Sequence, residues 1–201
     1  MIRLGKLRRD QTAAIGAEFA LVLPVLLIFL LGIIDAGRWM WTWNRAEKAT
    51  QMGVRYAAVT DMSDTALQSY DFYTNAGIAR GSPVPASSFG GATCTSSGCT
   101  CNTGATCPTL GTLSTGFTNT VARMQFIMPE IRPENVVIEY GYSGLGYSGD
   151  PYGPDINPLI TVRLRNMTFS PALFSLFGSS MSLPDFAATL SMEDGSGAIS
   201  N

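Results

Sequence analysis

Catalysis within this chain would have to proceed without histidine, because none occurs among its 201 residues. That excludes Ser-His-Asp and Cys-His nucleophilic machinery drawn from the chain itself. It also lacks a Gly-Lys phosphate loop, a zinc-protease helix motif and a G-x-S-x-G elbow. Glu130, Glu134 and Glu139 are scattered around a helix end and a strand and read as solvated charges. Four cysteines remain, Cys94, Cys99, Cys101 and Cys107, all within 81–116, a stretch rich in Gly, Ser, Thr and Pro. Thiolates hold zinc, but these separations lack paired C-x-x-C knuckles and no imidazole is at hand, so no metal site is expected. An even set of close cysteines in an exported segment instead predicts two small-loop disulfides. Three pairings are open, and Cys99–Cys101 is the least favourable because its loop is so tight. Asp150, Asp155 and Asn157 could lend oxygens to a hard cation, yet aspartates among Gly and Pro ordinarily form turns. Asn166-Met167-Thr168 matches the glycosylation acceptor pattern but lies at the end of an expected strand. No catalytic residue, metal or cofactor follows from these groups.

One acid stands apart. Glu18 precedes an uncharged run of sixteen residues, 19–34, FALVLPVLLIFLLGII. At the α-helical rise this run covers about 24 Å, and 11–34 covers about 36 Å, enough to cross a bilayer core with tilt. A carboxylate near hydrocarbon costs about 2.5–3.5 kcal/mol on insertion scales and so asks for a partner. Ahead of it, Arg3, Lys6, Arg8 and Arg9 stand against Asp10 alone. A short basic flank stays cytoplasmic, which places everything from Asp35 onward outside the inner membrane. Basic-then-apolar is also the pattern of a cleaved secretory signal, but no A-x-A site follows the run, so a retained anchor is expected. A cut between Ala13 and Ala14 would give Ala14 a free α-amino group and make Glu18 the fifth mature residue. In a bundle of such helices the Glu18 carboxylate then meets a neighbour's amine, which offsets its burial and sets axial register. The alternative is a Glu18 that snorkels to the interface. Pro24 withdraws the hydrogen bond to the Ala20 carbonyl and is expected to kink or loosen the helix.

The elements around these residues are read from periodicity. Trp39, Trp41 and Trp43 cluster just past the apolar run, where indoles favour the membrane interface. With no proline between Pro24 and Pro83, the helix is free to continue to about residue 60. Trp39, Trp43, Ala46, Thr50, Gly53 and Ala57 form a stripe of aromatic and small residues at helical spacing, suited to packing on the chain's own domain or on a neighbour. Residues 61–80 are weakly helical and are left open. A helix is expected over 117–128, capped by Ser114 or Thr115 and ended by Pro129 and Pro133. Three strands are expected over 135–142, 159–167 and 186–192, the second alternating clearly with Ile160, Val162 and Leu164 on one face. Residues 171–177, PALFSLF, are read as a helical turn or two contributing to the core, and the tail GSGAISN as frayed. The sum is an α+β chain. A long N-terminal transmembrane helix packs on a small antiparallel sheet of about three or four strands, with a disulfide-bonded loop. The expected divisions are a leader over 1–13, a span over 14–35, a helical extension over 36–60 and an extracytoplasmic head over 61–201. A net charge of −2 leaves no basic field for nucleic acid.

The run GAEFALVLPVLLIFLLGIIDAGR, followed by Asn44 and by GVRYAA at 53–58, resembles the TadE-like pilus-assembly proteins. These are minor pilin-like subunits of the tight-adherence (Flp, type IVb) pilus system. The resemblance is specific over 14–58 and weaker beyond Asp61. It implies a pilin-like fold in a bacterial inner-membrane prepilin cut by a dedicated aspartic prepilin peptidase, with other pilin or pseudopilin subunits and the assembly machinery as partners. By position, Glu18 matches the family's glutamate and Phe19 the aromatic that follows it. Ala13 falls where the motif has glycine, immediately before the cut. Gly16 is no substitute, because cutting there would leave Glu18 second. The implied role is to prime, cap or join a fibre, and not to catalyse. Two other readings are a membrane-anchored extracytoplasmic binding or adhesion protein and a pseudopilin of a secretion system.

Overall fold

The computed structural model describes residues 11–102, 107–172 and 180–195, with side chains from Ile15 onward. The basic leader, most of the 171–177 stretch and the end of the tail therefore lie outside the described residues. Contacts divide the chain into two compact units, Met1–Thr42 with Thr168–Met181, and Trp43–Met167 with Ser182–Asn201. Helix α1, Gln11–Ala57, is a single element of 47 residues. Pro24 lies inside it without ending it, since its fixed φ is helical and only one backbone donor is lost.

In the first unit, α1 is apolar on every side from residue 15 to 34. Leu21 is 76% exposed, and Phe19, Val25, Phe29 and Ile33 are also well exposed. A surface helix of a water-soluble domain keeps its apolar residues to one stripe; this one does not. Asp35 is the first buried residue along it, at 8% exposure. Strand β5, Thr168–Phe169, also belongs to this unit. Phe169 meets the Trp39 ring edge-on at 5.4 Å between centroids.

The second unit is built on a five-stranded antiparallel sheet of order β2-β1-β3-β4-β7. Its strands are β1 Ala92–Thr95, β2 Gly98–Cys101, β3 Val136–Gly141, β4 Leu159–Leu164 and β7 Phe186–Ser191. A sixth short strand, β6 Met181–Ser182, stands outside this sheet. In β4 the expected alternation holds, with Ile160, Val162 and Leu164 buried. The strand ends at Leu164, three residues short of the expected end. Asn166 instead sits in a turn with φ +56°, a conformation that Asn tolerates better than most residues. The cysteine-rich stretch adds two strands to the three read from the sequence. A two-residue turn, Ser96–Ser97, sets Cys94 opposite Cys99, and β1 then pairs with β3.

The last four turns of α1 cover this sheet together with α4, Thr115–Ile127. Ser114 is its N-cap, accepting from the Gly116 N–H at 3.0 Å. Ala46, Ala49, Thr50, Gly53, Val54 and Ala57 are all buried, so this part of the small-residue stripe packs on its own domain. Gly53 shows why the residues are small: a Cβ there would lie 2.7 Å from Met124 Sδ. Trp43 meets Phe186 of β7 edge-on at 5.3 Å. The open stretch 61–80 resolves into two short helices, α2 Thr65–Gln68 and α3 Phe72–Ala76, capped by the Asp64 and Asp71 side chains.

Candidate functional site

The residues singled out for assembly lie on the first two turns of α1 that have described side chains. Glu18 and Phe19 are both exposed, and among the described residues Glu18 meets no cation and no hydrogen-bond donor. Its neighbours are Ile15, Leu21 and Val22, all exposed and apolar. A carboxylate so placed is tolerable in water or beside a positive group, but not alone in hydrocarbon. Ala13 and Ala14 lie on the helical backbone of α1, and their side chains are outside the described residues.

At the other end of the apolar run sits Asp35, which the sequence reading used as a boundary and as part of the run that carries the resemblance. Asp35 Oδ1 accepts from Arg38 Nη1 at 3.1 Å and from the Ala172 N–H at 2.8 Å. The Arg38 guanidinium also lies 5.4 Å from the centre of the Phe169 ring. A hint was present in the sequence, an i,i+3 acid–base pair where hydrocarbon ends. Its backbone partner, 137 residues away, left none.

In the second unit the predicted residues turn out to be structural. The disulfides are Cys94–Cys99 and Cys101–Cys107, which settles the pairing that spacing left open. Asp155 is buried; its Oδ2 accepts from the Phe72 N–H at 2.8 Å and its Oδ1 from the Asp150 N–H at 2.9 Å. Asp150 in turn accepts from the Tyr152 N–H at 2.9 Å. These aspartates hold the loop in shape, as turn formers do. Asp71, Asp150 and Asp155 help line a polar cleft of about 280 Å³, with Gln68, Tyr70 and Arg80. Two of the glutamates read as solvated have an arginine partner from another element, though Glu130 stays largely in solvent. Glu130 takes both Nη1 and Nη2 of Arg45, at 3.2 and 3.0 Å, while Arg45 Nε donates to the Ile127 carbonyl. Glu139 accepts from Arg163 Nε across the sheet at 2.8 Å. These pairings follow from topology: each arginine comes from another element, so the pairing is invisible along the chain.

The feature with the least internal explanation is thus α1 itself, apolar all round and bearing one acid near its start. Residues 13–55 match the TadE-like protein family model. The match falls within α1, on the same residues that carry the resemblance read from the sequence. No curated protein and no solved structure matches the chain. The TadE-like match supports a pilin-like role associated with the tight-adherence pilus. It points to a structural part rather than a catalytic one. The helix is long and apolar enough to cross a membrane, which fits a single-pass membrane protein.

Proposed function

We propose that this chain is a minor pilin-like subunit of a tight-adherence, type IVb pilus that primes, caps or joins the fibre through α1. In this reading residues 1–13 form a cytoplasmic leader and 14–35 cross the inner membrane. Residues 36–60 carry the helix outward, and 61–201 form the extracytoplasmic head. A prepilin peptidase cuts between Ala13 and Ala14. The new α-amino group of one subunit then faces Glu18 of its neighbour. Pro24 loosens the helix enough to adjust to a bundle of others.

The observation that carries this reading is Glu18, exposed on an apolar helix and without a cation among the described residues. A fresh amine on a neighbour's Ala14, four residues before Glu18 in the numbering, would offset its burial cost with the right charge at the right depth. Replacing Glu18 with Ala should abolish piliation while the protein still accumulates in the membrane. Normal pili in that strain would sink the proposal. Mass determination of the N-terminus from membrane extracts tests the cut separately, with Ala14 expected as the first residue.

A further inference from the structure

The polar cleft of the second unit mixes unspent hydrogen-bonding groups with apolar surface. Gln68, Tyr70 and Asp71 come from the α2–α3 segment, and Asp150 and Asp155 from the loop 142–158. Tyr70, with Pro151 and Pro154 of the loop, supplies the apolar part. Arg80 is fixed between the two sides. Its guanidinium carbon lies 4.5 Å from the centre of the Tyr73 ring. Its stem runs beside Gly149, where φ is +76° and an added Cβ would lie 2.8 Å from Arg80 Cγ. The side chain is held in place, yet among the described residues its N–H groups make no hydrogen bond or ion pair. Acceptors are unspent as well. Asp150 Oδ1 takes the Tyr152 N–H, while Oδ2 meets no donor among the described residues. Gln68 Nε2 donates to Asp61 Oδ1 at 2.9 Å, which leaves its amide oxygen to accept.

We propose that this cleft binds a neutral sugar ring. Charge decides the class of ligand. Three carboxylates repel an anion. A cation finds Asp71 and Asp155 already spent on backbone N–H groups and the Thr74 hydroxyl, and it has Arg80 beside it. Among the described residues no cluster of acidic, His or Cys side chains is placed to hold a metal ion. A hydroxyl, by contrast, is donor and acceptor at once. It gives its proton to Asp150 Oδ2 and accepts from Arg80, and both hydrogen bonds are charge-assisted. The C–H face of a sugar packs on an aromatic face, and Tyr152 stands 88% exposed between the lining residues Pro151 and Gly153. The cleft, about 280 Å³, is slightly smaller than the sites of drug-sized ligands and suits a single ring. Little ordering is left to binding, because Arg80 is already fixed and Asp155 already ties the loop to Phe72.

The test uses the full chain in phosphatidylcholine nanodiscs, a carrier free of sugar. Saturation-transfer difference NMR is recorded with glucose, galactose, mannose and N-acetylglucosamine, each also as its methyl glycoside, and with tetramethylammonium and inorganic phosphate. Transfer is expected to at least one sugar and to neither ion. Retention of the glycoside assigns a residue within a polysaccharide and its loss a free sugar; either supports the proposal. Asp150→Asn and Arg80→Gln should each weaken that sugar about tenfold, and Tyr152→Ala severalfold. Tyr152 is almost wholly in solvent, so its variant folds even where another does not. Transfer to no sugar, or to either ion, overturns the proposal, as does sugar binding that all three variants leave intact. Glu18→Ala should leave sugar binding whole, so the cleft and the pilus reading stand or fall separately.

Discussion

Tyr140 is the residue on which the head's interior is keyed. Its hydroxyl donates to Ser63 Oγ and accepts from the Ser63 N–H, both at 2.8 Å, and it is fully buried. Burial pushes the phenol up to about 12, against a partial pull downward from the Ser63 hydrogen bonds. The folded state therefore keeps its proton where the unfolded chain, near 10, has begun to lose it. The resulting stability is whole below pH 10 and is lost as pH rises from 10 to 12. Tyr140→Phe should cost about 1–3 kcal/mol in urea unfolding at neutral pH, because the Ser63 N–H is left buried without an acceptor. It should also flatten the alkaline fall in stability, which the same titration at rising pH reads directly. Asp71 works the other way: its hydrogen bond from the Thr74 hydroxyl leads in holding its carboxyl below the usual value. Its contribution is present above the unfolded carboxylate range and is lost on acidification. Asp64 caps α2 through the Ala66 and Leu67 N–H groups at 2.8 and 3.0 Å, and Asp64→Ala should lower stability by about 1 kcal/mol or more.

Between elements, two glycines that look alike in the sequence differ in what surrounds them. At Gly53 an added Cβ would press on Met124 Sδ, a flexible thioether that can turn aside. At Gly116 it would lie 2.0 Å from the Asp61 carbonyl oxygen, a backbone atom that cannot. Gly53→Ala should thus be close to neutral, since better helix propensity of about 1 kcal/mol offsets the push. Gly116→Ala should cost at least about 2 kcal/mol, the range of overpacking against rigid structure. Paired thermal melts decide between these outcomes. The cysteine hairpin makes a similar point. Cys94 and Cys99 join adjacent strands across a two-residue turn, closing a loop whose entropy is about 2 kcal/mol. Replacing both with Ala should lower unfolding free energy by roughly that amount. The β3-β4-β7 part of the sheet should persist in circular dichroism, because these strands pair independently of the hairpin.

For the molecule as a whole, the governing quantity is the free energy of an apolar rod carrying one acid. In detergent or lipid, α1 is comfortable from residue 15 to 34 and Glu18 is its exception. Glu18→Gln is a sharper probe than Ala, since it keeps shape and removes the charge. Fibre incorporation, measured by immunoblot of sheared pili, should fall while membrane levels hold. Unaltered incorporation would mean that the carboxylate serves no neighbour. The Arg45–Glu130 pair, by contrast, has Glu130 mostly in solvent, and breaking it should change stability by less than about 1 kcal/mol.

Much was legible along the chain because it is local. The continuous apolar run of α1, the period of α4 with its Ser114 cap, and the alternation of β4 each repeat a pattern within one element, and in α4 and β4 burial follows the pattern. The processing and register roles proposed for Ala13, Ala14, Glu18 and Phe19 come from their order and from the family resemblance, and belong to the proposal. The β1–β2 hairpin was not, since its strands are short, made of Thr, Cys, Ala and Gly, and gain their burial from β3 and a disulfide rather than from their own periodicity. Asp35 with Ala172, Arg45 with Glu130 and Tyr140 with Ser63 join positions 137, 85 and 77 residues apart. Such pairs leave no spacing to read, because only the closed fold brings their polar atoms within reach of one another. What the chain's order determined by itself is where it is apolar and where it turns; which charges find partners was decided by the tertiary structure.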